Sequence, residues 1–222
     1  MSSILPFDEL NRLTVDVQER FSEGRVTVDD EDDIIDMLFD FFLLAYAMGN
    51  SVTSENLAFD YAPPVGEVMN VVDAKVAGKT WRDRVKDYFA KARNGEIQIS
   101  GSETAMPQRE GRSGSSEQSG QTETVESGGV SLEEAIIRIA ETEMHRDANT
   151  AALETARKAG AKNKTWITMM DEKVRDTHQY LEGMTVGIDE DFWTYDNDHA
   201  PAPGMFEFAE NNVNCRCELV FS

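Results

Sequence analysis

Five side chains stand where their types and spacing could do chemistry: Asp171, Arg175 and His178 in one short stretch, and Cys215 with Cys217 near the end of the chain. On a helix beginning at Asp171, Val174, His178 and Leu181 share one stripe, which turns His178 toward a core or a crevice. A histidine so placed wants a partner. On a strand, Cys215 and Cys217 point the same way with α-carbons roughly 6.5–7 Å apart. That spacing is poor for a disulfide but lets two thiolates share a metal. One reading is therefore zinc held by Cys215, Cys217, His178 and a fourth group such as His199 or Asp171. The other is plain core sulfur, because zinc motifs usually use Cys-x-x-Cys, and on that reading the protein carries no cofactor.

His178 with Arg175, Asp171 and Arg146 also has the residue types of a general acid/base and phosphate-neutralising set for cleaving RNA or DNA. Nothing in the sequence supplies its geometry. Arg175 beside Asp176 is equally a structural ion pair, so the main reading names no catalytic residue. The acidic stretch from Asp189 to Asp198 lacks the spaced ligands and glycine of a calcium loop. It reads as a solvated loop, with Phe192, Trp193 and Tyr195 as hydrophobic anchors. No Ser/His/Asp grouping, phosphate-binding glycine loop or dinucleotide fingerprint is present.

The elements that must position these residues form an α+β chain. Phe7, Leu10, Leu13 and Val17 recur at helical spacing, and the apolar stretch Ile34–Met48, interrupted by Asp36 and Asp40, reads as a buried helix too short to span a membrane. Pro63-Pro64 forces an extended break before Val68, Val71, Val72 and Val76. Thr80 caps a helix that carries Trp81, Val85, Tyr88 and Phe89 inward. Residues 1–98 thus predict a helical N-terminal domain. From 99 to 130 the composition turns to Ser, Gly, Glu and Gln, which predicts a flexible linker. Residues 131–222 predict a small α+β domain. It opens with the capping box Ser131-Leu132-Glu133-Glu134 and a long helix that ends at Gly160. One stripe of that helix is apolar (Ile136, Ile137, Ala140, Met144, Ala148, Ala151), and Arg138, Thr142, His145, Arg146 and Asn149 make a polar one. A short strand over Lys164–Met169, a helix from Asp171 to before Gly183, a short strand at Thr185–Ile188 and a closing strand over Asn214–Phe221 complete it.

The 222 residues hold 21 basic and 42 acidic side chains, a net charge of −21 carried by both halves. A bulk electrostatic grip on nucleic acid is excluded by that balance. Two cysteines so close together are no secreted disulfide framework, which favours a reducing compartment, and no export signal opens the chain.

Taken in order, Arg138-Ile139-Ala140-Glu141-Thr142-Glu143, Arg146, Asn149, Trp166, Asp171-x-x-Val174-Arg175-Asp176-x-His178, Leu181-Glu182-Gly183, Pro203-Gly204 and Asn212-Val213-Asn214-Cys215-Arg216-Cys217 resemble the phage Mu F-like family of minor head proteins. The resemblance covers about residues 131–222. Gly78–Val85 also looks like what precedes the domain in relatives from tailed phages. The resemblance implies a protein present in a few copies in the head, associated with the portal vertex, that acts in head assembly and in genome packaging or release. Its partners would be portal protein and capsid or scaffold proteins. The acidic charge implies a basic or mixed docking surface on them, with DNA touched only through a local patch and no membrane partner. Its place would be the bacterial host cytoplasm during assembly and then the virion head.

Overall fold

The computed structural model describes residues 4–76, 78–99 and 130–222, and the linker expected over 99–130 lies, from 100 to 129, outside them. Helix α1 (Phe7–Phe21) buries Leu10, Leu13, Val17 and Phe21 at a spacing of three to four. Helix α2 (Val28–Asn56) is longer than its apolar centre suggested, because Thr27 caps it in a reciprocal box with Asp30. Its length and composition would let it cross a membrane. Its buried residues, among them Ile34, Leu38, Phe42 and Ala45, instead face the protein core. Helix α3 (Val65–Val72) follows Pro64, and α4 (Trp81–Arg93) starts from the expected Thr80 cap, closed by Asp83. Edge-on ring contacts join these helices, Phe21 to Phe89 at 5.9 Å and Phe42 to Trp81 at 5.0 Å. Each such buried ring contributes roughly 1.5–3 kcal/mol of burial free energy.

Helix α5 (Leu132–Ala159) has the expected Ser131–Glu134 box and ends on Gly160 at φ +82°, a left-handed conformation that glycine adopts freely. It runs through the middle of the molecule. Residues Leu132 to Ala152 of α5 belong to one core with α1, α2, α3 and α4, while Leu153 belongs to a second core around Trp166.

The rest is short elements: β1 (Asn163–Ile167), α6 (Asp176–Gln179), β2 (Thr185–Gly187), β3 (Phe192–Trp193), β4 (His199–Ala200), α7 (Ala209–Asn212) and β5 (Glu218–Phe221). Strands β2, β1 and β5 form an antiparallel sheet in that order, with Trp166 opposite Leu219 and Thr165 opposite Thr185. The fold is α+β, as the sequence predicts.

Three local expectations give way. The helix expected from Asp171 is a single turn beginning at Asp176. Arg175 is extended there (ψ 153°) and reaches the carbonyls of Glu210 and Val213, while Asp171 closes a turn on the Lys173 amide. The closing strand starts only at Glu218, because Asn214 is left-handed (φ +55°) and breaks the alternation ahead of the cysteines. The acidic loop is in part a two-residue-per-strand hairpin, β3 with β4. Phe192 is its buried anchor, whereas Trp193 and Tyr195 are exposed.

The close crossing of α2 over α5 requires a glycine, since a Cβ on Gly49 would overlap the Ala148 carbonyl. Gly49→Ala is expected to lower unfolding free energy by about 1–3 kcal/mol, as overpacking does. Gly66→Ala, on an exposed turn of α3 with open space around it, should leave stability unchanged or raise it by up to about 1 kcal/mol. Urea denaturation of the two variants checks the contrast.

Candidate functional site

The single turn of α6 and the loop between α7 and β5 bring His178, Cys215 and Cys217 together. His178 Nδ1 lies 3.7 Å from Cys215 Sγ and 3.4 Å from Cys217 Sγ, and all three side chains are buried. The imidazole is held flat against Phe206 (5.5 Å, 29°) and edge-on to Trp166 (5.4 Å, 74°), so its direction is set by packing. On the other side, the Asn149 amide of α5 donates to the Cys217 carbonyl at 3.1 Å and to the His145 carbonyl at 2.9 Å. Arg216, between the cysteines, turns outward into a two-pronged pair with Asp171 at 2.7 and 2.8 Å. That pairing forces the neighbouring thiols inward.

The two sulfurs share their protons unequally. The hydrogen bond from Cys217, helped by His178 and opposed by burial, holds the Cys215 thiol well below its ordinary range, and Cys217 is pushed up by the same bond and by burial. Among the described residues His178, Cys215 and Cys217 are the one group of three or more metal-ligating side chains with converging donor atoms. The expected fourth ligands are elsewhere: Asp171 is engaged by Arg216, and His199 Nδ1 pairs with Asp191 at 2.9 Å.

Of the nuclease-like set, His178 and Arg175 line one small hollow, and Asp171 and Arg146 stand outside it. Arg175 is engaged by main-chain carbonyls and Asp171 by Arg216. Arg146 is buried on α5, where it pairs with Glu143, reaches Asp147 at 2.9 Å and donates to the carbonyls of Val71 and Val72 at 3.2 and 3.4 Å. Those carbonyls end α3, the negative pole of its dipole. Glu143 also pairs with Arg84 of α4. Burial works against the Arg146 charge, and the two carboxylates more than offset it. Burial also pushes the Asp147 carboxyl well up, with Arg146 pulling the other way.

The polar stripe expected on α5 is therefore split. Arg138 is exposed and Thr142 half-buried, but His145, Arg146 and Asn149 are internal. Gly204 of the Pro203-Gly204 pair closes the same region: it is left-handed (φ +83°), and a Cβ there would lie 3.0 Å from the Arg146 α-carbon. Gly183, also left-handed (φ +71°), ends the α6 turn and donates to the Trp166 carbonyl at 2.9 Å.

Sequence reasoning missed Asp198. Expected in a solvated loop, it is buried and accepts from the amides of His199, Glu207 and Phe208 and from the Asn211 side chain. Asn212 does the same for Phe206, accepting from its amide and donating to its carbonyl. Lys164 was likewise unread. Its Nζ donates to the Pro201 carbonyl at 2.7 Å, and burial lowers its pKa to about 8.

The family model described as Phage Mu protein F like protein matches residues 109–220. NAD(+)–arginine ADP-ribosyltransferase EFV of Enterococcus faecalis is 38% identical over 88 residues, which is 38% of this chain and 18% of that protein. Minor head protein GP7 of Bacillus phage SPP1 is 32% identical over 85 residues, 37% of this chain and 28% of that one. The chain thus spans under a third of the length of either of these relatives. No solved structure matches it significantly.

His145, buried beside this region, gives a pH test. Burial lowers its pKa from 6.5 to about 4, so between those values the unfolded chain binds the extra proton. The contribution is complete above about pH 6.5 and is lost as pH falls toward 4, on the order of 3 kcal/mol. Unfolding free energies at a series of pH values should fall along that limb in the wild type, with the His145→Leu curve flatter over the same range.

Proposed function

Because the chain belongs to the Phage Mu protein F like family, we propose that it is a minor head protein of head morphogenesis, docked at the portal vertex against portal and capsid or scaffold proteins and serving genome packaging or release. Its likeness to a phage minor head protein supports this reading. The observation that carries it is the direction of the family-motif side chains. Glu143, Arg146, Asn149, Trp166, His178, Cys215 and Cys217 face inward and hold elements together, as the parts of a shape-keeping domain do. Assembly in the host cytoplasm and residence in the virion head follow from the role.

The likeness to the ADP-ribosyltransferase fits the same reading. The stretch matched is 18% of that protein and about as long as the stretch matched in the head protein, 88 residues against 85. A docking domain can serve an enzyme and a structural protein alike. The nuclease alternative, built on His178, Arg175 and Asp171, keeps His178 and Arg175 at one small hollow and loses Asp171 to Arg216.

Docking needs an exposed anchor, and the α+β part offers aromatic ones. Tyr180 and Tyr195 meet edge-on at 6.1 Å, and Trp193 of the same hairpin covers His199 at 4.4 Å. All three aromatics are more than half exposed. Such rings are frequent energetic centres of protein interfaces. With a net charge of −21, the surface that receives them would be basic or mixed, and DNA would be met only through a local patch.

The expected outcome is co-purification of the full chain with portal or capsid protein in the absence of DNA. A Trp193→Ala, Tyr195→Ala double variant should weaken that association at least about tenfold without a shift in melting temperature. Salt-sensitive DNA binding with no affinity for head proteins would overturn the reading.

A further inference from the structure

We propose that His178, Cys215 and Cys217 bind one Zn²⁺ ion, which clamps the loop before β5 onto α6. The argument is metric. With Zn–S of about 2.3 Å, Zn–N of about 2.1 Å and a tetrahedral angle, ligand nitrogen and sulfur stand about 3.6 Å apart. The Nδ1–Sγ separations are 3.4 and 3.7 Å. Three soft donors, one from each side chain, all lie within 4.8 Å of one another, so a single ion can reach them together.

The surroundings are those of a built site. The ligand imidazole is fixed by Phe206 and Trp166 on two sides. The cysteine loop is held by Asn149 and by the Arg216–Asp171 pair. Cys215 and Cys217 need no strand for this, because the left-handed turn at Asn214 aims both sulfurs at the histidine. A hollow of about 10 Å³ beside the three ligands, lined also by Val174, Arg175 and Asn214, leaves a fourth position wide enough for one water molecule. Two thiolates neutralise the ion, and the two protons they lose on binding go to solvent. No redox step is involved, and the site is independent of which protein the chain docks against.

The test uses the full chain purified under reducing conditions. Elemental analysis should find about one zinc per chain. Replacement by Co²⁺ should give the intense ligand-field and sulfur-to-cobalt charge-transfer bands of a tetrahedral thiolate site, saturating at about one equivalent. Chelation should lower the melting temperature of the wild type. Cys217→Ser should lose roughly half of the charge-transfer intensity, since one of two sulfurs is gone. If that variant does not fold, the wild-type cobalt spectrum and metal content decide alone. A folded wild type that takes up neither ion at stoichiometric level, or that holds a Cys215–Cys217 disulfide in reducing buffer, overturns the proposal.

Discussion

One buried guanidinium organises the molecule. Arg146 sits in α5 with Glu143 one turn before it and Asp147 beside it, and it reaches across to the last carbonyls of α3. Glu143 carries the connection on to Arg84 of α4. Within the same turn and a half, Ala148 receives α2 at Gly49, the Arg146 backbone receives Gly204, and Asn149 fixes the carbonyl of Cys217. Charges taken out of water are tolerated only when each meets partners of good geometry. That requirement fixes where α3 and α4 must stand. The helical core and the Trp166 core therefore meet along one helix.

This arrangement explains why residues that look chemical are spread through the family motif yet sit inside. His178 answers to two sulfurs and two aromatic rings, and Arg175 to two carbonyls. Among the side chains left outside are aromatics on one hairpin, on a protein whose acids outnumber its bases two to one. An interior tied by specific polar contacts and an exterior with a few large rings suit a part that must keep its shape while it is gripped by others.

What the sequence made legible was local. The Thr80 and Ser131 caps, the Gly160 stop and the apolar stripes of α1 and α4 all follow from neighbours in the chain. The grouping of His178 with the cysteine pair came from residue types, since the longer helix and the strand expected to bring them together are a single turn and a loop. What escaped is non-local. Helix α5 is enclosed on nearly every side, so periodicity assigned Arg146 and Asn149 to a polar face when both have polar partners inside. Asp198 looked like one more surface acid, since three of its four donors come from residues it meets only after the chain turns back. Strands of two residues, such as β3 and β4, carry no pattern long enough to recognise.

The central claim is that the charged motif of α5 holds the fold. Urea denaturation of Arg146→Ala beside a triple variant with apolar residues of similar volume at Glu143, Arg146 and Asp147 tests it most directly. The account predicts a loss of about 3–5 kcal/mol in the single variant, where buried Asp147 is stranded and Glu143 keeps only Arg84, and a stability much nearer wild type in the triple one. An Arg146→Ala protein within about 0.5 kcal/mol of wild type would contradict it.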